Sequence, residues 1–179
     1  MKAFSELIHR LYFTTSNSAK ASIFRSYLQS SVDPDRGWAV AALSGTLDLS
    51  LFKRKLVLHL IKSRVDPYLF DASYDYVGDL SETVSLLWPV KRPFQSLALP
   101  SLSQLIEKLN TSSSKQVETY LAGLLDKMSP IERWALLKLG TGGLRIGFSA
   151  RSVRKTLAEF GGVDPVSYTH LTLPTKVTV

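Results

Sequence analysis

The chain has no cysteine, only three histidines and only two methionines. Without cysteine there is neither a disulfide framework nor thiolate chemistry, which suits a reducing compartment. No histidines pair at metal-ligand spacing, and no His-Glu-x-x-His occurs, so no metal ligand set can be drawn. No apolar run approaches bilayer length, and the opening MKAFSELIHR lacks a signal-peptide core. There is no Gly-x-Ser-x-Gly elbow and no glycine loop ending in Gly-Lys-Ser/Thr. No catalytic constellation is visible. Acidic residues are also the scarcer charge, 15 against 22 basic ones, and the resulting +7 favours a polyanionic partner.

What is present points to helices. With 179 residues, 45% of them hydrophobic and 21% charged, the chain suits one soluble domain with a proper core. Phe4, Leu7, Ile8 and Leu11 follow the i, i+3, i+4, i+7 pattern of an amphipathic helix. Thr14 to Ser18 offer caps for a second helix whose apolar side is Ile23, Phe24, Tyr27 and Leu28. Asp33-Pro34 and Asp66-Pro67 read as helix starts, with aspartate capping and proline at the first helical position. The run Trp38 to Leu43 is expected to be mostly buried. A helix from about Ser50 to Ser63 would carry His59 as a packed core residue. Asp79 reads as a cap with Glu82 as its capping-box partner, and Ser129-Pro130-Ile131-Glu132 is a clear start of the same kind. Ser149 would cap a last helix with Val153, Leu157 and Phe160 inward. The expected fold class is all-α, with roughly nine or ten short helices. The proline-bearing stretch 89–100 would join two subdomains.

The stretch richest in chemistry is LLKLGTGGLRIGFSARSVRKTLAEF, Leu136 to Phe160. Arg133, Lys138, Arg145, Arg151, Arg154 and Lys155 are basic, and no acidic residue lies among them. Glycines free the backbone to approach a ligand, and a helix N-terminus beside them is an anion site. Arginine adds a forked donor suited to phosphate oxygens. This reads as a phosphate-backbone grip. It reads equally as a tight helix–helix turn whose basic residues solvate one face. Lys20, after a hydroxyl-rich helix start, is a further phosphate candidate, although such residues more often only cap. Elsewhere Lys53, Arg54, Lys55, Lys62 and Arg64 form a second basic block. Asp66, Asp71, Asp75, Asp79 and Glu82 form an acidic segment between the blocks, mostly explained as helix starts.

From Val166 the character changes. VSYTHLTLPTKVTV has no helical apolar face, and VSYTHLTLPT looks like one reading frame of a transposon adapter used in sequencing libraries. On that reading, residues 1–164 are the domain, residues 165–179 are a non-native tail, and the natural protein continues past about Asp164. Removing Val166–Val179 deletes only Lys176 among the formally charged residues, so the charge falls from +7 to +6.

LLKLGTGGLRIGFSARSVRKTLAEFGG resembles the closing motif of the N-terminal DNA-binding domain of ATP-dependent DNA ligases, especially bacterial ones. YVGDLSETV, Tyr76 to Val84, is similar to a helix start of that domain. FSELIHRLYFTTSNSAKASIFRSYL and DPDRGWAVAALSG resemble its first helices. The resemblance runs from Met1 to about Asp164 in the right order. It implies an all-helical domain that grips duplex DNA, preferentially nicked, across the minor groove. Gly142, Arg145 and Gly147 would approach phosphates, with Gly143, Ser149, Arg151, Lys155 and Lys20 as further DNA-binding candidates. Many relatives carry a basic residue where this chain has Gly143. The resemblance also implies a monomeric, cytoplasmic, nucleoid-associated protein. Its full-length parent would use ATP and magnesium to seal nicks in replication, repair or recombination. None of the lysines here begins the Lys-x-Asp-Gly motif that becomes adenylated. The chain alone is therefore expected to hold no catalytic residue, cofactor or metal, and to bind DNA while sealing nothing. The alternatives are a stand-alone helical DNA-binding module, or a scaffold that docks a protein. Such a scaffold would use the acidic Asp66–Glu82 segment and exposed aromatics such as Tyr68 or Trp88.

Overall fold

A computed structural model describes residues 1–90, 98–142 and 144–162. Among them there are ten α-helices and no strand, as the periodicity predicts. They are α1 (Lys2–Phe13), α2 (Asn17–Ser30), α3 (Asp35–Ser44), α4 (Arg54–Lys62) and α5 (Pro67–Val77). The remaining five are α6 (Leu80–Leu87), α7 (Leu102–Thr111), α8 (Ser114–Lys127), α9 (Pro130–Gly140) and α10 (Ala150–Gly161). The tail, Gly143 and residues 91–97 lie outside the described residues.

The chain forms two compact units. The first comprises Met1–His9 and Asp48–Leu144, and the second comprises Arg10–Leu47 and the chain from Arg145 onward. This corrects the subdomain boundary expected at 89–100, because both flanks of that stretch belong to the first unit. The division instead follows chain that returns to early helices late in the sequence, which local composition does not encode.

In the first unit, α6 packs on α9 and α5, and α4 packs on α5 and α8. Helix α9 is the central piece, with every residue from Arg133 to Gly140 buried. Its start is a full capping box. Ser129 Oγ accepts from the Glu132 N–H at 3.3 Å, and Glu132 accepts from the Ser129 N–H at 2.8 Å. Such a cap contributes about 1 kcal/mol. Helix α7 has the same box between Ser101 and Gln104. At α6 only the Asp79 half is seen, with Oδ1 accepting from the Glu82 N–H at 2.9 Å. Gly140 lies against Phe52, whose ring atoms would stand 2.3–2.5 Å from a Cβ at that position. Trp88 is buried and donates from Nε1 to Asp126 at 2.8 Å, so it is not the exposed docking aromatic expected.

Several local expectations change. Asp66 caps α5 as expected, accepting from the Leu69 N–H at 3.0 Å with Pro67 following. The Asp33-Pro34 pair does not act this way. Its peptide is cis, α3 begins at Asp35, and Asp33 pairs with Arg36 at 3.7 Å. Helix α4 starts at Arg54, not near Ser50, and exposes His59, which meets Glu118 at 3.2 Å. The helical period puts Val57, Leu60 and Ile61 inward and turns residue 59 away.

In the second unit α10 packs on α2 and α3. Val153, Thr156 and Ala158 are its buried residues. Phe160, expected inward, is 38% exposed. Arg25 and Glu159 join α2 and α10 with an ion pair of 2.7 Å.

Candidate nucleic-acid interface

The second unit holds a short loop, residues 145–149, between Leu144 and the start of α10. Its side chains alternate. Ile146 and Phe148 are buried, while Arg145, Gly147 and Ser149 face solvent. Phe148 packs edge-on to Phe24 of α2 at 5.6 Å between ring centroids, which anchors the loop to the core. Two buried apolar side chains fix the strand of backbone between them, so its outward groups are presented in one arrangement.

Lys20 completes that arrangement from beneath. Its ammonium donates to the Ile146 carbonyl at 2.9 Å and to the Gly147 carbonyl at 3.0 Å, and the residue is only 6% exposed. An ammonium has three donors, and two of them hold this loop. Lys20 is thus placed as a brace for the loop, which differs from the surface phosphate ligand its sequence position suggested. Gly147 has φ +66°, a conformation costly for side chains, and a Cβ there would stand 2.6 Å from Lys20 Nζ. The backbone conformation favours glycine at this point, and a Cβ would have to displace the Lys20 ammonium from its place.

Ser149 then caps α10, its Oγ accepting from the Ser152 N–H at 3.1 Å. The first turn of α10 contains no acidic residue, and Arg151 sits in it. Cations near a helix N-terminus oppose the macrodipole, at a cost of about 0.3–1 kcal/mol each. Among the described residues no carboxylate pairs with Arg145, Arg151, Arg154 or Lys155. All four are exposed. Arg151 at the positive end of α10 is poorly explained by helix stability alone, and it shares this stretch with the exposed Arg145, Arg154 and Lys155.

Of the sequence-derived site, the structure brings together Lys20, Arg145, Gly147, Ser149, Arg151 and Lys155 in the second unit. Gly142 has φ +69° after α9 and belongs to the first unit. Gly143 is outside the described residues.

Two members of the basic stretch are corrected outright. Arg133 is buried, with Nε donating to the Leu125 carbonyl at 2.7 Å and Nη1 to the Ser85 carbonyl at 3.5 Å. Nη2 has no hydrogen-bond partner, and burial pushes the guanidinium pKa down while the Asp126 charge opposes the shift. Lys138 is buried too, and its ammonium pairs with Asp79 Oδ2. Burial alone would raise the Asp79 pKa. The Lys138 bond and the Glu82 N–H outweigh it and hold the carboxyl below its ordinary value of 3.8. These two cations stabilise the first unit and present no charge to a ligand.

Sequence reasoning missed the anchors Ile146 and Phe148. The signal for them is the period-two alternation in RIGFS, which the glycines around it disguise as a turn. The second basic block is also largely engaged. Arg54 lies over Tyr74 at 5.4 Å, Lys62 pairs with Asp71 at 2.7 Å, and Arg64 lies over Trp88 at 4.8 Å.

A family model described as DNA ligase N terminus matches residues 1–158 of the chain. No curated protein matches it.

Proposed function

The chain belongs to the DNA ligase N-terminus family, and from that premise we propose that loop 145–149 and the N-terminal half of α10 grip the phosphate backbone of duplex DNA. The observation that carries this reading is the set of exposed cations without a carboxylate partner, Arg145 in the loop and Arg151, Arg154 and Lys155 on the N-terminal half of α10. Guanidinium and ammonium groups there meet phosphate oxygens, and the exposed glycine backbone at Gly147 admits the strand closely. Backbone contacts carry no base code, so binding is indifferent to sequence. The parent protein seals nicks with ATP and magnesium, in the repair, recombination or replication of cellular DNA, and nicked duplex is the preferred ligand.

The residues of this chain do not fit ATP or magnesium. No lysine heads a Lys-x-Asp-Gly motif, and among the described residues no three metal-ligating side chains gather. In this reading the chain's own part in the reaction is to grip the duplex.

The test is fluorescence anisotropy of a labelled nicked duplex and its intact counterpart across a salt series. Four neutralised phosphates give a log–log slope of about −3.6, and Arg145→Ala reduces its magnitude by about 0.9 on every duplex sequence. Affinity that ignores both salt and Arg145→Ala would remove this function.

A further inference from the structure

The first unit carries a surface that includes none of the DNA-binding candidates. Between α5 and α6 runs an open groove of about 420 Å³ whose lining includes Ala72, Tyr76, Val77, Thr83, Leu86 and Leu87. Large apolar side chains crowd its mouth and its outer helix. Tyr76 is 93% exposed, and Tyr68, Leu86 and Leu69 are more than half exposed. Helix α5 has only Phe70 fully buried, so most of its apolar surface faces away from the unit's core. Contiguous apolar exposure of this kind marks interaction sites on soluble proteins.

The charge around the groove identifies the occupant. Asp66 to Glu82 holds five carboxylates and no cation, in a chain of net +7. Asp66 and Asp79 cap helices, and Asp71 is paired with Lys62. Asp75 and Glu82 are exposed, Asp75 next to Tyr76 and Glu82 one turn before Leu86. An apolar floor with a carboxylate rim rejects phosphate and anionic lipid. It complements an amphipathic helix with aliphatic side chains on one face and lysine or arginine on its flanks. We propose that the α5–α6 groove docks a basic amphipathic helix of a partner protein.

The test uses the full 179-residue chain, isotope-labelled, and two synthetic fifteen-residue helices. One has a leucine face flanked by lysines, and the other has glutamates in place of the lysines. The expected result is that the lysine helix binds at least tenfold more tightly, weakens with salt, and shifts amide resonances of α5 and α6. Leu86→Lys, and separately the pair Asp75→Lys with Glu82→Lys, reduce that affinity at least tenfold. These side chains are exposed, so the variants keep the fold, and Tyr76→Ala serves as a third. Arg145→Ala leaves the helix affinity unchanged while weakening DNA, which separates this inference from the DNA-grip reading. Equal affinity for the two helices, shifts centred elsewhere, indifference to the groove substitutions, or a dimer closing the groove in sedimentation would each overturn it.

Discussion

Replacing Gly147 with alanine probes the brace beneath the candidate interface. At φ +66° an L-residue costs about 1–2 kcal/mol relative to glycine. The added methyl would also stand 2.6 Å from Lys20 Nζ, which already donates to the Ile146 and Gly147 carbonyls. Displacing the ammonium weakens hydrogen bonds from a charged donor, each worth roughly 1.5–3 kcal/mol, so the total loss should be about 2–4 kcal/mol. In a Lys20→Met background the stem remains and the ammonium is gone. Gly147→Ala there should cost only the backbone part, about 1–2 kcal/mol. Urea denaturation of wild type, both single variants and the double variant gives the coupling directly. An interaction energy of at least about 1 kcal/mol is expected for two sites in such contact. Equal effects of Gly147→Ala in the two backgrounds would refute the brace, and an alanine variant as stable as wild type would refute the strain as well.

Gly140→Ala should destabilise by about 1–3 kcal/mol, although alanine is the better helix former, because the new methyl strikes the buried Phe52 ring. Phe52→Leu in the same chain should recover part of that loss in urea melts, and a stabilised Gly140→Ala would contradict the contact. Asp79 has a lowered pKa, so its contribution is present above 3.8 and is lost as pH falls through the lowered value. Asp79→Asn should therefore destabilise at pH 7, with the gap to wild type narrowing below pH 3.8. A gap unchanged from pH 6 to pH 3 would count against the Lys138 pairing. Arg133 is a buried cation with one unpartnered nitrogen. Arg133→Met should cost about 1–2 kcal/mol or less, whereas Arg133→Lys keeps the charge without the reach and should cost more. The reverse order in denaturation would refute this.

Local chemistry made the helices legible. Ser129-Pro130-Ile131-Glu132 carries its whole capping box within four residues, and the structure forms it. Asp66-Pro67 behaves likewise, whereas Asp33-Pro34 has the same letters and a different outcome. The difference is not local to the dipeptide. Arg36 donates from Nε to the Ser31 carbonyl at 3.0 Å and pairs with Asp33, and α3 starts later. His59 sits within an apolar run, yet the 3.6-residue period turns it outward while Val57, Leu60 and Ile61 face the core. Ser149, Gly147 and the exposed cations of α10 were visible as a pattern. The Lys20 brace was not, since it joins residues 126 and 127 positions apart.

The net charge of +7 is a poor guide to where this protein would hold a polyanion. The stretch from Arg133 to Lys155 counts six cations in sequence, but a helix buried on every side carries its charges inward with it. WALLKLG is apolar all round apart from one lysine, and that pattern signals a central helix where a cation needs a partner. Lys138 has Asp79, and Arg133 has two carbonyls, so neither is left to attract DNA. Helix α10 has the opposite pattern, with one buried stripe and Arg151, Arg154 and Lys155 on the other side. Those cations have no carboxylate partner among the described residues, and Arg151, in the first turn, stands where the helix dipole opposes it. A cation already neutralised by a neighbour has little left for a ligand, so the candidates within this stretch are its exposed cations without such a neighbour. By that criterion the proposed grip falls on Arg145 in the loop and on Arg151, Arg154 and Lys155 of α10, with Lys20 bracing the loop that carries Arg145.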